Sequence, residues 1–362
     1  MPREGDASLV ERIWWGRGRG PAIMRLVLRP ASALFGAAVR VRNALYDFGA
    51  LPSRELGVST ISVGNLSVGG TGKTPMAAWI ADRARELGAA PAIVLRGYGE
   101  DEPLVHRELN PGVPVVVGAD RFQAAARAKE LGADLIVLDD AFQHRRARRQ
   151  VDLVLVSAER WTGTTPLLPA GPWREPLRSL GRASMALVTR KTVSLDAAAA
   201  VADEIARRLD GLAAGVVALV PGDLRRIGDH TVRPLTDLEG SRVLAIAAVG
   251  HPAAFIRQLE TLGARVEAEC FPDHHRFSDA DVTRLAGRGK DVDHIVCTLK
   301  DAVKLHPRWP RQAPSFWYVS QRVVIERGDE ALAALIGRVV RARATRSRTA
   351  ASSRHIDRSH EH

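Results

Sequence analysis

The sequence predicts an α/β fold built on a parallel sheet, and three observations lead there. From Val58 onward, short apolar runs rich in β-branched residues alternate with helix-patterned stretches. That alternation buries a parallel sheet between two layers of helices. Second, Ile61-Ser62-Val63-Gly64-Asn65-Leu66-Ser67-Val68-Gly69-Gly70-Thr71-Gly72-Lys73-Thr74-Pro75 reads as a strand, a glycine-rich loop and a helix start. Third, Leu135-Ile136-Val137-Leu138-Asp139-Asp140 is an apolar strand ending in two carboxylates. The expected architecture is a P-loop NTPase-like parallel-sheet domain and a second, smaller α/β domain. An extended hinge joins them, and an N-terminal helix with a membrane-interface pattern precedes both.

The loop carries chemistry. Backbone amides of Gly69, Gly70, Thr71 and Gly72 would point at phosphates, and the helix N-terminus adds partial positive charge. Lys73 would reach the β- and γ-phosphates, and the Thr74 hydroxyl would hold Mg²⁺. The strict pattern G-x-x-x-x-G-K-[ST] wants glycine at position 67, where this chain has Ser67. Asp139 and Asp140 end a strand on the side where parallel sheets bind ligands, so either can hold Mg²⁺ directly or through water.

Taken in order, residues 1–20 look irregular, with Trp14-Trp15 among arginines. An apolar stretch over 22–46, broken at Pro30, is framed by Arg25, Arg29, Arg40 and Arg42. The uncharged part between Arg29 and Arg40 is too short to span a bilayer, and no run of about 18 apolar residues occurs. Such a helix lies in a membrane interface or packs on the protein core; the pattern alone fits both.

Strands are expected over 61–63, 92–95, 113–117, 135–138, 153–156 and 186–189, with helices over 75–87, 121–131 and 197–209. A hinge falls near 216–234. A second unit alternates again through 243–247, 253–262, 265–270, 279–287, 294–298 and 317–319, and the extended stretch 318–325 returns beside the hinge. A closing helix covers 329–343, and the Arg/Ser/Thr/His-rich tail 344–362 reads as disordered. The domain division is thus 1–55, 56–215, 216–328, 329–343 and 344–362.

The 362 residues suit roughly two domains. A net charge of +11 fits an anionic membrane, a phosphorylated partner or nucleic acid. No nucleic-acid motif accompanies the charge and aromatic content is 5%, so no specific nucleic-acid partner is expected. Cys270 and Cys297 lack metal-type spacing and read as ordinary thiols. No secretory signal is expected in the polar, Arg-rich first 20 residues.

Three further segments could serve a site. Arg96-Gly97-Tyr98-Gly99-Glu100-Asp101-Glu102-Pro103 sets three acids on a glycine-rich loop, which by spacing reads as solvated. Phe271-Pro272-Asp273-His274-His275-Arg276-Phe277 holds two adjacent histidines, of which at most one would enter a given site. Leu168-Pro169-Ala170-Gly171-Pro172-Trp173-Arg174-Glu175-Pro176 is rigid, and Arg174 could clamp an anion.

Assembled in order, VGNLSVGGTGKTP (63–75), RGYG (96–99), DEP (101–103), LDDAFQHRR (138–146), LPAGPWREP (168–176), VGHP (249–252), PDHHRF (272–277) and TLKDAVK (298–304) resemble the tetraacyldisaccharide 4′-kinase family. The resemblance implies transfer of the γ-phosphoryl group of ATP, with Mg²⁺, to the 4′-hydroxyl of a lipid A disaccharide 1-phosphate precursor. It implies work at the cytoplasmic face of the inner membrane against an anionic surface, and it favours the interfacial reading of the N-terminal helix. By the same resemblance Lys73 and Thr74 serve ATP and Mg²⁺, and Asp139 and Asp140 form the acidic pair. Asp101 would draw the acceptor proton, oriented by His274 from the second domain, so that domain closure completes the site. The chain departs from the family pattern at Ala141, at Leu299 and in the single residue, Glu100, between RGYG and DEP. A GTPase- or metallochaperone-type P-loop protein is the alternative; its N-K-x-D guanine motif does not match Lys300-Asp301.

Overall fold

The computed structural model describes residues 9–358, except Arg17, Tyr98, Glu100, His251 and His274; of Leu9 and residues 344–358 it describes the backbone alone. In chain order the longer strands are β1 (Ser59–Asn65), β2 (Pro91–Leu95), β3 (Val115–Val117), β4 (Leu135–Asp139), β5 (Val151–Ser157), β6 (Met185–Arg190), β7 (Ala214–Arg225), β8 (Arg242–Ala247), β9 (Arg265–Cys270), β10 (His294–Cys297) and β11 (Phe316–Arg327). The chain forms two compact units. One comprises Leu26–Tyr98, Leu109–Leu219 and Val323–His362; the other comprises Met1–Arg25, Gly99–Glu108 and Val220–Arg322. The predicted division assigned 99–108 to the P-loop domain, whereas this segment clusters with the second unit.

In the first unit the strand order is β3-β2-β4-β1-β5-β6, followed by the N-terminal half of β7, and every neighbouring pair is parallel. All residues of β1, β2 and β4 are buried, which is why these strands read as unbroken apolar runs. β1 lies centrally between β4 and β5, where strand order reverses, so the carboxyl ends of β1 and β4 open on the crevice that binds ligands in such sheets.

Gly64 in β1 is required by close approach. A Cβ there would stand 2.6 Å from Phe142 Cβ and 3.0 Å from its backbone nitrogen. Gly64→Ala is therefore expected to cost roughly 1–3 kcal/mol of stability, read as a lowered unfolding midpoint in denaturant. An unchanged midpoint would show that the Phe142 loop yields freely.

The second unit repeats the pattern, with parallel neighbours in the order β9-β8-β10-β11. The C-terminal half of β7 follows β11, and Asp223 N donates to Ser320 Oγ at 2.8 Å. The predicted hinge and its returning stretch are thus regular strands: β7 and β11 each run from one unit into the other.

Several expectations change. Residues Leu9–Trp15 form a helix where irregular chain was expected. The apolar stretch is one uninterrupted helix, Arg19–Asp47, with Pro30 inside it. It is long and apolar enough, by length and composition, to cross a membrane, which corrects the expectation that no such segment exists. The closing helix runs Asp329–Arg358, past Arg343 and into the stretch expected to be disordered.

The helix Arg19–Asp47 settles the choice between packing and exposure by doing both. Ser32, Gly36, Val39 and Asn43 form one stripe at helical spacing. Ser32 Oγ donates to Leu167 O at 2.8 Å, and Asn43 Nδ2 donates to Glu175 Oε2 at 2.8 Å. Gly36 abuts Leu167, and Val39 is buried. The opposite stripe, Val27, Leu34 and Val41, is 64%, 75% and 60% exposed.

Candidate active site

The glycine loop sits between β1 and the helix Lys73–Glu86, which begins two residues earlier than predicted, so Lys73 and Thr74 lie in its first turn. Gly72 precedes that helix with φ 86° and Gly69 has φ 110°, backbone that L side chains rarely adopt. Buried side chains fix the loop from beneath. Asn65 Nδ2 donates to Thr71 Oγ1 at 2.8 Å, and Thr189 Oγ1 on β6 donates to Thr71 O at 3.0 Å.

Ser67 departs from the strict motif because this part of the loop is paired as extended chain. Ser67 bridges Trp173, Val68 N donates to Pro172 O at 2.8 Å, and Arg174 N donates to Leu66 O at 2.6 Å. The segment 168–176 is therefore a wall of the phosphate loop. Its Arg174 reaches both Asp140 oxygens, at 3.2 Å from Nη1 and 2.9 Å from Nη2, and also donates to Asn65 Oδ1.

Asp139 ends β4 and is buried; Asp140 follows with φ 52°, in the left-handed region. Aspartate tolerates that conformation better than most residues, and strain of this kind collects at functional sites. Lys73 Nζ lies 4.0 Å from Asp140 Oδ2. Burial works against the Asp140 charge, but Lys73, then Arg174 and Arg121, outweigh it and hold the carboxyl below its usual range. Gln143 Nε2 donates to Asn65 O at 2.9 Å, and Arg149 donates to the carbonyls of Phe142, His144 and Ala147. The acidic pair is thus braced against the loop it faces.

The second unit carries the other predicted residues. Asp101 and Glu102 are not on a loop; they open the helix Asp101–Leu109, where carboxylates complement the helix dipole. Asp101 is buried. His274 lies outside the described residues. Its neighbour His275 stacks on Phe271 at 4.7 Å between centroids, and its Nε2 lies 3.1 Å from Asp281 Oδ2. Hydrogen bonds from Ser278, then from His275, pull the Asp281 carboxyl down to about 2. His275 therefore supports the loop. Asp301 of the 298–304 segment is fully buried; it accepts from Ala248 N at 3.1 Å and from Thr298 Oγ1 at 2.7 Å, and Lys304 pairs with it at 3.2 Å. That segment ties the 272–277 loop to the end of β8, since Lys304 Nζ also reaches His275 O at 3.4 Å.

The first unit thus brings together Gly69, Gly70, Thr71, Gly72, Lys73, Thr74, Asp139, Asp140 and Arg174, while Asp101 belongs to the other unit. Reading the sequence missed Asn65 and Arg121. Asn65 had a signal, an amide ending an apolar strand just before the glycine loop; Arg121 had none, because only the folded chain brings its charge to bear on Asp140.

These residues fit a nucleoside triphosphate with Mg²⁺. Gly69 and Gly72 hold the loop in left-handed backbone beside Lys73 and Thr74 at a helix N-terminus, a donor set suited to phosphate oxygens. Thr74, Asp139 and Asp140 are hard oxygen donors suited to Mg²⁺.

Known proteins resemble this chain in sequence and in fold. The chain is 38% identical over 333 residues to a tetraacyldisaccharide 4′-kinase of Anaeromyxobacter dehalogenans, covering 83% of this chain and 86% of that one. It is 38% identical over 343 residues to that of Halorhodospira halophila, covering 89% and 95%. The solved structure of LpxK from Aquifex aeolicus in complex with ATP superposes with a TM-score of 0.71 at 27% identity, covering 88% of this chain and 99% of that one. The family pattern described as tetraacyldisaccharide-1-P 4′-kinase matches residues 24–103 and 100–341, nearly the whole span that carries the glycine loop, the acidic pair and Arg174, and the chain belongs to that family.

Proposed function

We propose that this chain transfers the γ-phosphoryl group of ATP to the 4′-hydroxyl of tetraacyldisaccharide 1-phosphate, a step of lipid A biosynthesis. The observation that carries the reading is the convergence of Lys73 and Arg174 on Asp140 beside the glycine loop, in a chain of this family. The loop amides and Lys73 bind and orient the triphosphate and offset its charge. Thr74, Asp139 and Asp140 would hold Mg²⁺, which when bound neutralises charge on the β- and γ-phosphates. Arg174 keeps Asp140 ionised and fixed. Asp101 takes the proton from the acceptor hydroxyl, and His274 orients Asp101.

The test is mass spectrometry of tetraacyldisaccharide 1-phosphate incubated in detergent micelles with the protein and Mg²⁺-ATP. A gain of one phosphate is expected, falling on the order of 10²-fold in rate for Asp101→Ala and for His274→Ala. Unmodified lipid from folded, ATP-binding protein would defeat the kinase reading. The metallochaperone-type alternative is not favoured: the family match runs through both units.

The acceptor is a lipid, and the helix Arg19–Asp47 supports reaction at the anionic cytoplasmic face of the inner membrane. Its Val27, Leu34 and Val41 stripe is exposed, and Phe48, one heptad on, is 88% exposed. The opposite stripe is hydrogen-bonded to the 167–175 segment at mid-helix, through Ser32, and near the helix end, through Asn43, which favours lying in the interface over spanning it. Val27→Asp combined with Leu34→Asp is expected to abolish co-sedimentation with phosphatidylglycerol vesicles. Because both sites are exposed, stability should hold to within about 0.5 kcal/mol. Undiminished co-sedimentation would move the membrane contact elsewhere.

A further inference from the structure

We propose that Arg160 is a phosphate-contacting residue of the nucleotide site, its guanidinium pairing with the terminal phosphate of a bound nucleoside triphosphate. Arg160 ends a single helical turn, Ala158–Arg160, just after β5. Its side chain lies over the backbone of Gly69: a Cβ on that glycine would run into Arg160 Nη1 and stand 3.4 Å from Cζ. Gly69 has φ 110°, so the loop is bare on the face the arginine covers. A planar, permanently charged fork beside backbone amides is the donor set that matches phosphate oxygens two at a time.

The turn that carries Arg160 is tied down on both sides. Glu159 Oε1 accepts from the backbone nitrogens of Lys191 at 2.5 Å and Thr192 at 3.0 Å, and Ser157 Oγ donates to Glu159 Oε2 at 3.1 Å. On the other side, Trp161 Nε1 donates to Glu204 Oε2 at 2.7 Å. The Trp161 ring meets Trp173 edge-on at 6.2 Å, and Trp173 is the residue bridged to Ser67 in the phosphate loop. One aromatic pair thus links the Arg160 turn to the loop wall, so the backbone that carries the arginine is placed before nucleotide arrives and little main-chain ordering remains to be lost. Lys73 approaches from the helix side of the loop and Arg160 from its opening glycine, so the two cations reach the phosphates from separate elements.

The assignment rests on the kinase reading only for the identity of the nucleotide; phosphate contact is tested by binding. The full chain is titrated, with Mg²⁺, against fluorescent N-methylanthraniloyl derivatives of ATP and ADP. Arg160→Ala is expected to weaken the triphosphate about tenfold or more and the diphosphate much less, with Arg160→Lys recovering part of the loss and Arg160→Gln none. In the lipid assay the same variants raise KM for ATP in the same order. Equal losses for ATP and ADP, or none, would overturn the assignment, the first by showing that Arg160 only supports the loop. Should Arg160→Ala fail to fold, Arg160→Gln and Arg160→Lys carry the comparison. A wild-type protein that leaves the lipid unmodified while its Arg160 variants lose triphosphate selectivity would defeat the kinase reading and leave this one standing.

Discussion

Lys73→Ala is expected to lower kcat on the order of 10³-fold while the protein remains folded. The lysine opens the helix Lys73–Glu86, and alanine is the best helix former, so the backbone has no reason to change. What is lost is charge. Transfer of a phosphoryl group leaves the protein little covalent chemistry to do, so catalysis depends on positioning and on offsetting charge spread over the phosphate oxygens. Lys73 Nζ is placed for this by the helix turn and by Asp140, 4.0 Å away. Removing it also takes away the leading charge that offsets burial of Asp140, so the carboxyl titrates higher than in the wild type. The check is initial-rate phosphorylation of the lipid at saturating ATP, with a thermal melt of the same sample. Turnover within a few-fold of wild type would remove Lys73 from the transfer step.

The legible part of this molecule was what local pattern encodes. Buried parallel strands read as apolar runs, and the glycine loop and the acidic pair announced themselves because each needs a particular residue at a particular spacing. Ser67 looked like a flaw in the motif. It became intelligible only once β-bridging to Trp173 was visible, since pairing across more than 100 residues leaves no mark at position 67. Pro30 looked like a break. A helix of 29 residues continues through it, because the missing amide and the ring clash are local costs against a whole packed stripe. Asp101 looked like part of a solvated loop on grounds of composition, yet it is buried at a helix start. Its segment also clusters with residues more than 100 positions later, a partition that no linker composition foretold. Arg174 was legible as a possible anion clamp; its actual partners are Asp140 and Asn65, so it acts on the acidic pair directly.

Asp140→Asn is the sharper test, because it separates charge from shape. Asparagine is isosteric and accepts the left-handed backbone that Asp140 adopts at φ 52°, so the strain penalty of roughly 1–2 kcal/mol expected for alanine there is avoided. Turnover is nevertheless expected to fall by about 10²–10³-fold, since a neutral amide is a poor Mg²⁺ ligand and leaves Lys73 and Arg174 without their common anion. The sign of the pH dependence follows from the same contacts. The folded-state carboxyl is held below its usual range by Lys73 and Arg174 against the effect of burial. Its contribution to stability is therefore complete above the unfolded carboxylate value and is lost as pH falls through the lower, folded one. The gap in melting temperature between wild type and Asp140→Asn should stay flat from neutral pH down to about 4 and close below that. A gap that closes between pH 7 and 5 would mean that Asp140 titrates high in the folded protein. Lys73 and Arg174 would then not be holding its charge, and the acidic pair would need a different partner to stay ionised for metal binding.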